Sequence, residues 1–279
     1  MSVRRKPVTY FHLHLVSDST GETINVLAKA AVAQFERVQP IEHSYALVRT
    51  ARQLEKVFAG IADAPGIVLF TLVNEDLRHA LVRRCNELGM PCLSVLDGVL
   101  GVFESYLGTK TTHRPGGQHQ LDSDYFARID ALNYTMSHDD GQNVHELNEA
   151  DVVLLGVSRT SKTPTCIYLA NRGVKAANVP VVPGIPLPPI VENLHRPLVV
   201  GLLASPERLV QIRRNRLLSL SQTEETDYVN PSVVRDETTA ARRLYERLGI
   251  PVIDVSRRSI EETAAAIFTL YQQRKAKGV

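Results

Sequence analysis

A short polar segment past the middle of the chain has the spacing of a phosphate-binding loop. Gly156 is followed by four residues and then by Ser161, Lys162 and Thr163. In such a loop, backbone N–H groups converge on an anion at a helix N-terminus, the lysine contacts the terminal phosphates, and the threonine hydroxyl holds a magnesium ion. Ser161 stands where the usual pattern has glycine, and a serine costs more if that position needs a positive φ. The alternative is a polar turn that only caps a helix.

The residues on either side of this loop predict the elements that would position it. Residues 152–155 are entirely apolar and predict a buried strand, while "TPTCIYLA" predicts a helix with Pro164 in its first turn. A strand, a loop and a helix in this order are the context that a phosphate-binding loop requires. The sequence therefore favours an anion site over a capped turn, with Lys162 as a catalytic cation and Thr163 as a magnesium ligand.

Phosphoryl transfer also needs a carboxylate that orients or deprotonates the attacking hydroxyl and helps to hold magnesium. Asp139 and Asp140 precede Gly141, shortly before the apolar strand, and are candidates for these roles. The same tripeptide is also typical of a simple turn after a helix. Asp254, which ends the strand-like run "PVID", is a competing magnesium ligand.

Two further groups of side chains fit anion binding. Ser17 and Asp18 lie at the end of the first strand-like run, where open α/β sheets bind ligands. Ser19 and Glu22 provide an alternative interpretation of the same segment, because their spacing is that of a helix capping box. Arg213 lies in an arginine-rich helix that either clamps phosphoryl oxygens or forms a solvated basic face.

Composition excludes several functional classes. The 279 residues are 44% hydrophobic and 22% charged with a formal charge of +2, which predicts a globular protein without the basic tail that binds nucleic acid. Cys85, Cys92 and Cys166 are too scattered for a disulfide framework or a zinc site, and His113 and His119 have poor metal-ligand spacing. No stretch predicts a signal peptide or a membrane helix, so we expect a cytoplasmic protein that binds neither nucleic acid nor membranes.

Apolar strand-like runs alternate with amphipathic helical patterns along the chain, which predicts an α/β fold with parallel sheets. The alternation breaks between Gly108 and Ala150, where polar and histidine-rich segments flank one helical stretch. We predict an N-terminal Rossmann-like parallel-sheet domain over residues 1–145, which ends in this His/Asp-rich connection. A C-terminal P-loop kinase-like domain follows over residues 146–279.

Two helix boundaries near the C-terminus have strong local signals. Gly249, with Pro251 just beyond it, predicts the end of the preceding helix. Ser259 and Glu262 have the spacing of a capping box, which predicts that the last helix begins there.

Three long segments together resemble the bacterial pyruvate, phosphate dikinase regulatory proteins. They are "SDSTGET", "RPGGQHQLDSDYFARIDALNYTMSHDDG" and "GVSRTSKTPTCIYLANRGVKAANVPVVP", and the likeness extends over essentially the whole chain. A sister group, which acts on phosphoenolpyruvate synthetase, looks more like "SDGT" at the first segment and has Gly-Lys-Thr in the loop. Ser19 and "TSKT" at residues 160–163 favour the dikinase group.

The resemblance implies a bifunctional regulator whose partner is the dikinase. Members of that family phosphorylate a threonine of the dikinase with ADP as donor, which inactivates the target. They also remove this phosphate with inorganic phosphate as acceptor, which releases pyrophosphate. The family's ADP-binding segment maps onto Gly156, Val157, Ser158, Arg159, Thr160, Ser161, Lys162 and Thr163.

The resemblance also suggests roles for the remaining candidates. Asp139 and Asp140 lie in the matching segment "HDDG", and one of them is expected to be the base for the threonine hydroxyl. Ser17, Asp18 or His119 is expected to contact phosphate or the target's threonine loop. A two-fold homodimer is the commonest assembly for such an enzyme. Two other classes stay open, a P-loop kinase of a small metabolite and a nucleotide sensor that modifies nothing.

Overall fold

The computed structural model describes residues 7–112, 114–116, 123–219 and 227–277. The chain forms two compact units, Met1–Gln120 and Leu121–Val279. Each unit contains a sheet of four parallel strands together with helices, which confirms the predicted α/β fold. Within the described ranges, no helix is both long enough and apolar enough to cross a membrane.

The first unit alternates strands and helices from β1 to α4. Its four strands lie in the order β2-β1-β3-β4, and neighbouring strands pair in parallel. Its elements are β1 (Thr9–Val16), α1 (Glu22–Val32), β2 (Val38–Tyr45), α2 (Ala51–Asp63), β3 (Gly66–Phe70), α3 (Glu75–Glu87), β4 (Cys92–Ser94) and α4 (Asp97–Leu107).

Alternation along β1 divides the core of the first unit between the two faces of its sheet. Leu13 and Leu15 pack with Ile24 of α1. Val16 points to the opposite face and belongs to the cluster formed with α2 and α3. Because helices pack on both faces, polar side chains that bind ligands are left to the loops at the ends of the strands.

The second unit has the same alternation with longer connections. Its strands lie in the order β6-β5-β7-β8 and also pair in parallel. Short 3-10 turns occupy Asp139–Gly141, Val144–Glu149 and Asp227–Val229. Its other elements are α5 (Ser123–Ser137), β5 (Val152–Gly156), α6 (Lys162–Ala170), β6 (Ala176–Pro180), α7 (Pro189–Glu192), β7 (Leu198–Leu203), α8 (Pro206–Ser219), α9 (Pro231–Leu248), β8 (Val252–Asp254) and α10 (Ile260–Ala276).

Strand β5 is buried on both of its faces, as the apolar run predicted. Val153 and Leu155 belong to the core cluster that includes α8 and α9. Val152 and Leu154 belong to the cluster that includes α6 and α10. A central strand of a parallel sheet has no solvent-facing side, so its sequence shows no polar alternation.

Both sheets place their first strand between the second and the third, with β1 between β2 and β3 and β5 between β6 and β7. The chain therefore crosses over in opposite directions from the first strand. A crevice opens at the carboxyl ends of the strands where the direction changes, and open α/β sheets bind their ligands there. The loop that follows β5 begins at this point of the second sheet.

The two units divide between residues 120 and 121, which is earlier than the predicted boundary near residue 145. Helix α5 lies between these two positions and is bonded to strand β6. The Thr135 hydroxyl donates to the Ala176 carbonyl over 2.7 Å, and the Ala176 N–H donates to the same hydroxyl over 3.2 Å. The helix is thus attached to a strand far along the sequence, and no local pattern encodes such a contact.

Candidate active site

The loop between β5 and α6 lies between a buried strand and a helix, the arrangement that a phosphate-binding loop requires. Gly156 is the residue where a side chain has no room, because an added Cβ would clash with the Thr160 hydroxyl. That hydroxyl donates to the Val157 carbonyl over 2.9 Å, and both Val157 and Thr160 are fully buried. These residues fix the shape of the loop, while Ser158 and Arg159 between them are exposed.

Ser161 adopts the strained conformation that its position in the pattern requires. Its φ is 60°, in the left-handed region, and Arg159 has a φ of 71°. A residue with a Cβ is less stable there than glycine by about 1–2 kcal/mol. Ser161 is the N-cap of α6, so this strain aims the first N–H groups of the helix at the crevice.

Lys162 places a buried ammonium group beside the loop. The residue is only 6% exposed, and its Nζ donates to the Val157 carbonyl over 3.2 Å. Burial lowers the pKa of Lys162, and the negative charge of Asp140 opposes this effect. An ammonium group has three donors, so a phosphate oxygen that accepts from Lys162 would compensate for its lost hydration.

The 3-10 turn after α5 brings both candidate aspartates to the start of α6. Asp139 Oδ1 accepts a hydrogen bond from the Thr163 hydroxyl over 2.7 Å and another from the Asn178 amide. The Asp140 backbone N–H donates to Asn178 Oδ1 over 3.2 Å. Asp140 itself has a φ of 49°, in the left-handed region, whereas Asp139 has a negative φ.

A cavity of about 540 Å³ lies in front of the loop. Its volume falls within the range of small-molecule sites, roughly 300–1,000 Å³. The cavity thus joins one of the two aspartates to most of the predicted nucleotide segment. It is lined by Asp140, Ser158, Arg159, Ser161, Lys162, Thr163, Pro164, Pro180 and Ile212.

Arg213 lies behind the loop instead of lining this cavity. Its guanidinium is 1% exposed and forms an ion pair with Glu237 at 2.6 Å. It also donates to the Ser158 carbonyl over 3.2 Å and to the Tyr228 carbonyl over 3.1 Å. The predicted alternatives for this residue were an anion clamp and a solvated face; in the structure the side chain is buried and bonds to the backbone of the loop.

Two residues at this support were missed from the sequence. The Tyr228 hydroxyl accepts from Arg159 Nε over 3.2 Å and lies 3.2 Å from Ser158 Oγ. Glu237 neutralises the buried Arg213 guanidinium. Neither belongs to a motif, because they lie about 70 residues or more beyond the loop and only the fold brings them to it.

Asn178 was also missed, although the sequence carried a signal for it. It is the one polar side chain in the buried strand "AANVP" and is 1% exposed. A buried amide needs hydrogen-bond partners, so an asparagine within an apolar strand indicates a polar contact inside the protein.

Asp254 is engaged elsewhere in the described part of the chain. It ends the edge strand β8, which pairs with β7 and is two strands from β5. Its carboxylate accepts from the Ser256 hydroxyl and, over 2.8 Å, from the Ser256 N–H, and these bonds lower the pKa of Asp254. The residue does not line the cavity, so the structure does not bring this magnesium candidate to the loop.

Ser17 and Asp18 line a different cavity, of about 450 Å³, in the first unit. The Thr71 hydroxyl donates to Ser17 Oγ over 2.9 Å, and the Val73 N–H donates to Asp18 Oδ2 over 2.7 Å. Burial raises the pKa of the Asp18 carboxyl, and the bond from Val73 opposes this. His119, the other candidate for this role, lies outside the described residues.

Helix α1 begins beside this cavity without the capping box that the spacing of Ser19 and Glu22 suggested. Its N-cap is Gly21, with a φ of 81°, so Ser19 lies outside the helix. Glu22 and Thr23, in the first turn of α1, line the cavity together with Gly21.

A match with a protein-family model decides the affiliation of the chain. The kinase/pyrophosphorylase model matches residues 13–268, which include the loop, both aspartates and the cavity of the first unit. The chain belongs to the kinase/pyrophosphorylase family. Activity on phosphate and pyrophosphate groups agrees with an ammonium group, a carboxylate and a helix N-terminus around one cavity.

Relatives of this member of the kinase/pyrophosphorylase family have a more specific name. The pyruvate, phosphate dikinase regulatory protein of Caulobacter vibrioides is 57% identical over 269 residues, which cover 96% of this chain and 85% of that one. Proteins of the same name from Chelativorans sp. and Hyphomonas neptunium are 58% and 55% identical, over 95% and 98% of this chain and 97% and 99% of theirs. Among solved structures, a periplasmic ribose ABC transporter of Conexibacter woesei covers 90% of both chains at 12% identity with a TM-score of 0.22, too low to support any conclusion.

Proposed function

We propose that the protein is a bifunctional regulator of pyruvate, phosphate dikinase and acts in the cytoplasm. It phosphorylates a threonine of the dikinase with ADP as donor, and it removes that phosphate with inorganic phosphate as acceptor. The names of relatives at 55–58% identity support this target. The observation that carries the proposal is the convergence of Lys162, Thr163 and Asp140 on one cavity at the N-terminus of α6.

In the inactivating reaction, the loop N–H groups and the Lys162 ammonium hold the β-phosphoryl group of ADP. Asp140 accepts the proton of the threonine hydroxyl as the threonine oxygen attacks the β-phosphorus. The bond from that phosphorus to the bridging oxygen breaks, and AMP leaves. Asp140 is favoured over Asp139 as the base, because Asp140 lines the cavity while Asp139 accepts hydrogen bonds from Thr163 and Asn178.

In the activating reaction, an oxygen of inorganic phosphate attacks the phosphorus of the phosphothreonine. The bond from phosphorus to the threonine oxygen breaks, and Asp140 passes the proton of the attacking phosphate to that oxygen. Pyrophosphate and free threonine are the products. The same cations stabilise the transferring group whichever oxygen attacks, so one cavity serves both reactions.

Thr163 and Asp139 fit a magnesium ion. Their hydroxyl and carboxylate oxygens lie 2.7 Å apart at the edge of the loop, and oxygen atoms of this kind are the ligands that Mg²⁺ prefers. We assign Thr163 and Asp139, in preference to Asp254, as the residues that would hold the ion. When bound, the ion neutralises charge on the phosphate oxygens.

Ser17 and Asp18 are proposed to contact the target's threonine loop or phosphate. The support is chemical, since hydroxyl groups, a carboxylate and the N-terminus of α1 border one cavity in the first unit. These two residues line a different cavity from Lys162 and Asp140, so the roles proposed at the loop after β5 do not depend on them.

Mass spectrometry of the dikinase after incubation with this protein and ADP tests the proposed function. We expect a gain of one phosphate on a threonine of the dikinase together with conversion of ADP to AMP, and its loss with formation of pyrophosphate when inorganic phosphate replaces ADP. A protein that instead consumes ATP with a small free acceptor is a metabolite kinase. Binding of ADP without modification of the dikinase would identify a sensor, and either result would refute the proposal.

A further inference from the structure

Asn178 on β6 connects the two aspartates of the candidate site. Its Nδ2 donates to Asp139 Oδ1, and its Oδ1 accepts from the Asp140 backbone N–H over 3.2 Å. Its own backbone N–H donates to the His138 carbonyl over 3.3 Å. One residue of the sheet is therefore bonded to three successive residues, which are the two acids and the residue before them.

The amide of Asn178 has one orientation that satisfies both partners. Asp139 offers a carboxylate, which only accepts hydrogen bonds, and Asp140 offers an N–H, which only donates. If the amide were flipped, its oxygen would face the Asp139 carboxylate, so two acceptors would meet. Its NH₂ group would face the Asp140 N–H, so two donors would meet. Because Asn178 is 1% exposed, water cannot replace the lost bonds, so the contacts fix the amide and the amide fixes the turn.

This bond pattern gives adjacent acids different surroundings. The amide and the Thr163 hydroxyl both bind Asp139 Oδ1, which directs that carboxylate to the first turn of α6. The bond to the Asp140 N–H supports a left-handed backbone, with a φ of 49° and a ψ of 41°. A non-glycine residue stays in that region only when its surroundings hold it there.

We infer that Asn178 is a positioning residue for phosphoryl transfer, which holds Asp139 beside Thr163 and Asp140 at the cavity. It contacts neither the cavity nor the reacting atoms, so it acts through the two aspartates. This inference rests on the proposed function. It adds a residue from another strand to the chemistry of the loop, and it gives a reason for the separate roles of two neighbouring acids.

A matched control is available at Ala176, two residues before Asn178 on strand β6. Thr135 of α5 bonds to the backbone of Ala176, and both hydrogen bonds are buried. Thr135→Val therefore removes buried hydrogen bonds to β6 without touching either aspartate. A general loosening of β6 would affect both variants alike, whereas misplacement of the acids would affect only the Asn178 variants.

The test compares Asn178→Ala, Asn178→Asp and Thr135→Val in the full chain. With the dikinase and ADP as substrates, we expect both Asn178 variants to lose about 10- to 100-fold in kcat, the range seen when a partner of a metal-site ligand is removed. The KM for ADP should change far less, because the loop itself keeps its bonds. Asn178→Asp should be at least as impaired as Asn178→Ala, since it retains the acceptor for Asp140 but sets a second carboxylate against Asp139.

A double variant tests whether Asn178 acts through Asp140. In an Asp140→Asn background, Asn178→Ala should cost much less than it costs in the wild type, because residues that act as one unit are not additive. Full additivity would refute the inference. So would an unchanged kcat in both Asn178 variants, or an equal loss of kcat in Thr135→Val.

A crystal structure of an Asn178 variant separates this inference from the proposed function. If the amide positions the turn, Asp140 should leave its left-handed conformation in Asn178→Ala, or in Asn178→Ser if the alanine variant does not fold. An unchanged turn would refute the inference even if the wild-type protein phosphorylates the dikinase. A wild-type protein that does not modify the dikinase would refute the proposed function instead, and the conformation of the turn would still decide the role of Asn178.

Discussion

The backbone of Ser161 is strained, and the effect of this strain on the free energy of unfolding can be measured. Its φ of 60° favours glycine, the residue that the common pattern has at this position. We predict that Ser161→Gly raises the free energy of unfolding by up to about 1 kcal/mol, because relief of strain exceeds the added entropy of the unfolded chain. Urea denaturation of the ligand-free protein checks this.

Ser158→Gly is the matched control for that measurement. Ser158 belongs to the same loop but is absent from the residues with positive φ in the described chain. Here glycine relieves no strain, increases the freedom of the unfolded chain and removes the exposed contact with the Tyr228 hydroxyl, so we expect a loss of about 0.5–1 kcal/mol. Shifts of the same sign in both variants would contradict the interpretation of strain at Ser161.

The two aspartates should respond differently to the same substitution. Asp140→Asn removes the proposed base, so kcat for phosphorylation of the dikinase should fall about 10²- to 10⁴-fold. Asp139→Asn should mainly raise the magnesium concentration needed for half-maximal rate, because Asp139 is bonded to Thr163. Steady-state kinetics across a magnesium series distinguishes the two effects. Asp130→Asn, on the exposed side of α5, is the control and should leave both quantities unchanged.

Burial of Lys162 predicts a gain in stability when its charge is removed. Burial lowers the pKa of Lys162, so the unfolded chain binds the proton more tightly than the folded protein. The folded protein therefore loses stability as the pH falls from 10.5 through the lowered pKa. At neutral pH, Lys162→Met should raise the free energy of unfolding of the ligand-free protein and abolish stabilisation by ADP.

Urea unfolding at pH 7 and pH 9, with and without ADP, checks the prediction for Lys162. Lys175→Met serves as the comparison, because Lys175 is a third exposed and pairs with Asp130. This control should keep its response to ADP. A less stable Lys162→Met protein at pH 7 would show that the hydrogen bond to Val157 outweighs the cost of burying the charge.

At the residue scale, the sequence predicted the strand before the loop and the helix after it, while the binding role of the loop stays a prediction. Gly156, Lys162 and Thr163 could be proposed from the sequence because the spacing typical of a phosphate-binding loop lies within one strand, loop and helix. Asn178 and Tyr228 could not, because their contacts depend on pairing between distant parts of the chain. The different surroundings of Asp139 and Asp140 could not be predicted either, since they depend on the left-handed backbone of Asp140 and on contacts with Asn178.

Among the elements, helix α8 has a measurable role in support of the loop. Arg213 on this helix donates to the Ser158 carbonyl, and Glu237 on α9 balances its charge. We predict that Arg213→Lys, which keeps the charge but loses the planar fork, raises the KM for ADP in the dikinase assay. Arg213→Met leaves the Glu237 carboxylate without its partner and should cost about 3 kcal/mol of unfolding free energy.

Arg208→Lys on the same helix is the control for Arg213. Its guanidinium bonds to Gln211 at the surface, so the variant should match the wild type in both ADP affinity and stability. Calorimetric titration with ADP and urea denaturation supply the two measurements. An unchanged ADP affinity in Arg213→Lys would show that the loop holds its shape without this support.

Helix boundaries were predictable where local chemistry alone decides them. Helix α9 ends before Gly249, whose φ is 63°, and α10 begins at the capping box of Ser259 and Glu262, both as predicted. The equivalent box at Ser19 does not form, because the polar turn runs on to Gly21 before α1 begins.

At the scale of the whole molecule, two units with their own core clusters predict two unfolding steps. ADP bound at the loop should stabilise the second unit alone, by about 2.7 kcal/mol at a concentration 100 times its dissociation constant. Scanning calorimetry should therefore show one transition that moves with ADP and one that does not. A single transition that moves as a whole would contradict independent units.

The α/β class and the parallel sheets were predictable for the whole chain, because alternating strands and helices leave few other folds. The division of the chain was harder to predict. The polar stretch before residue 145 resembles a linker in composition, yet α5 within it bonds to β6 and belongs to the second unit. Composition reports where a chain is polar, and it does not report which sheet a helix joins.

A single cavity in front of the loop has a consequence for control. Under the proposed function, a nucleotide and free phosphate occupy the same space and exclude each other, so each is a competitive inhibitor of the reaction that uses the other. The protein then needs no additional regulatory site to determine whether it phosphorylates or dephosphorylates the dikinase. The balance of ADP against phosphate in the cell would set the fraction of dikinase that is switched off, and AMP left behind by one reaction would delay the other.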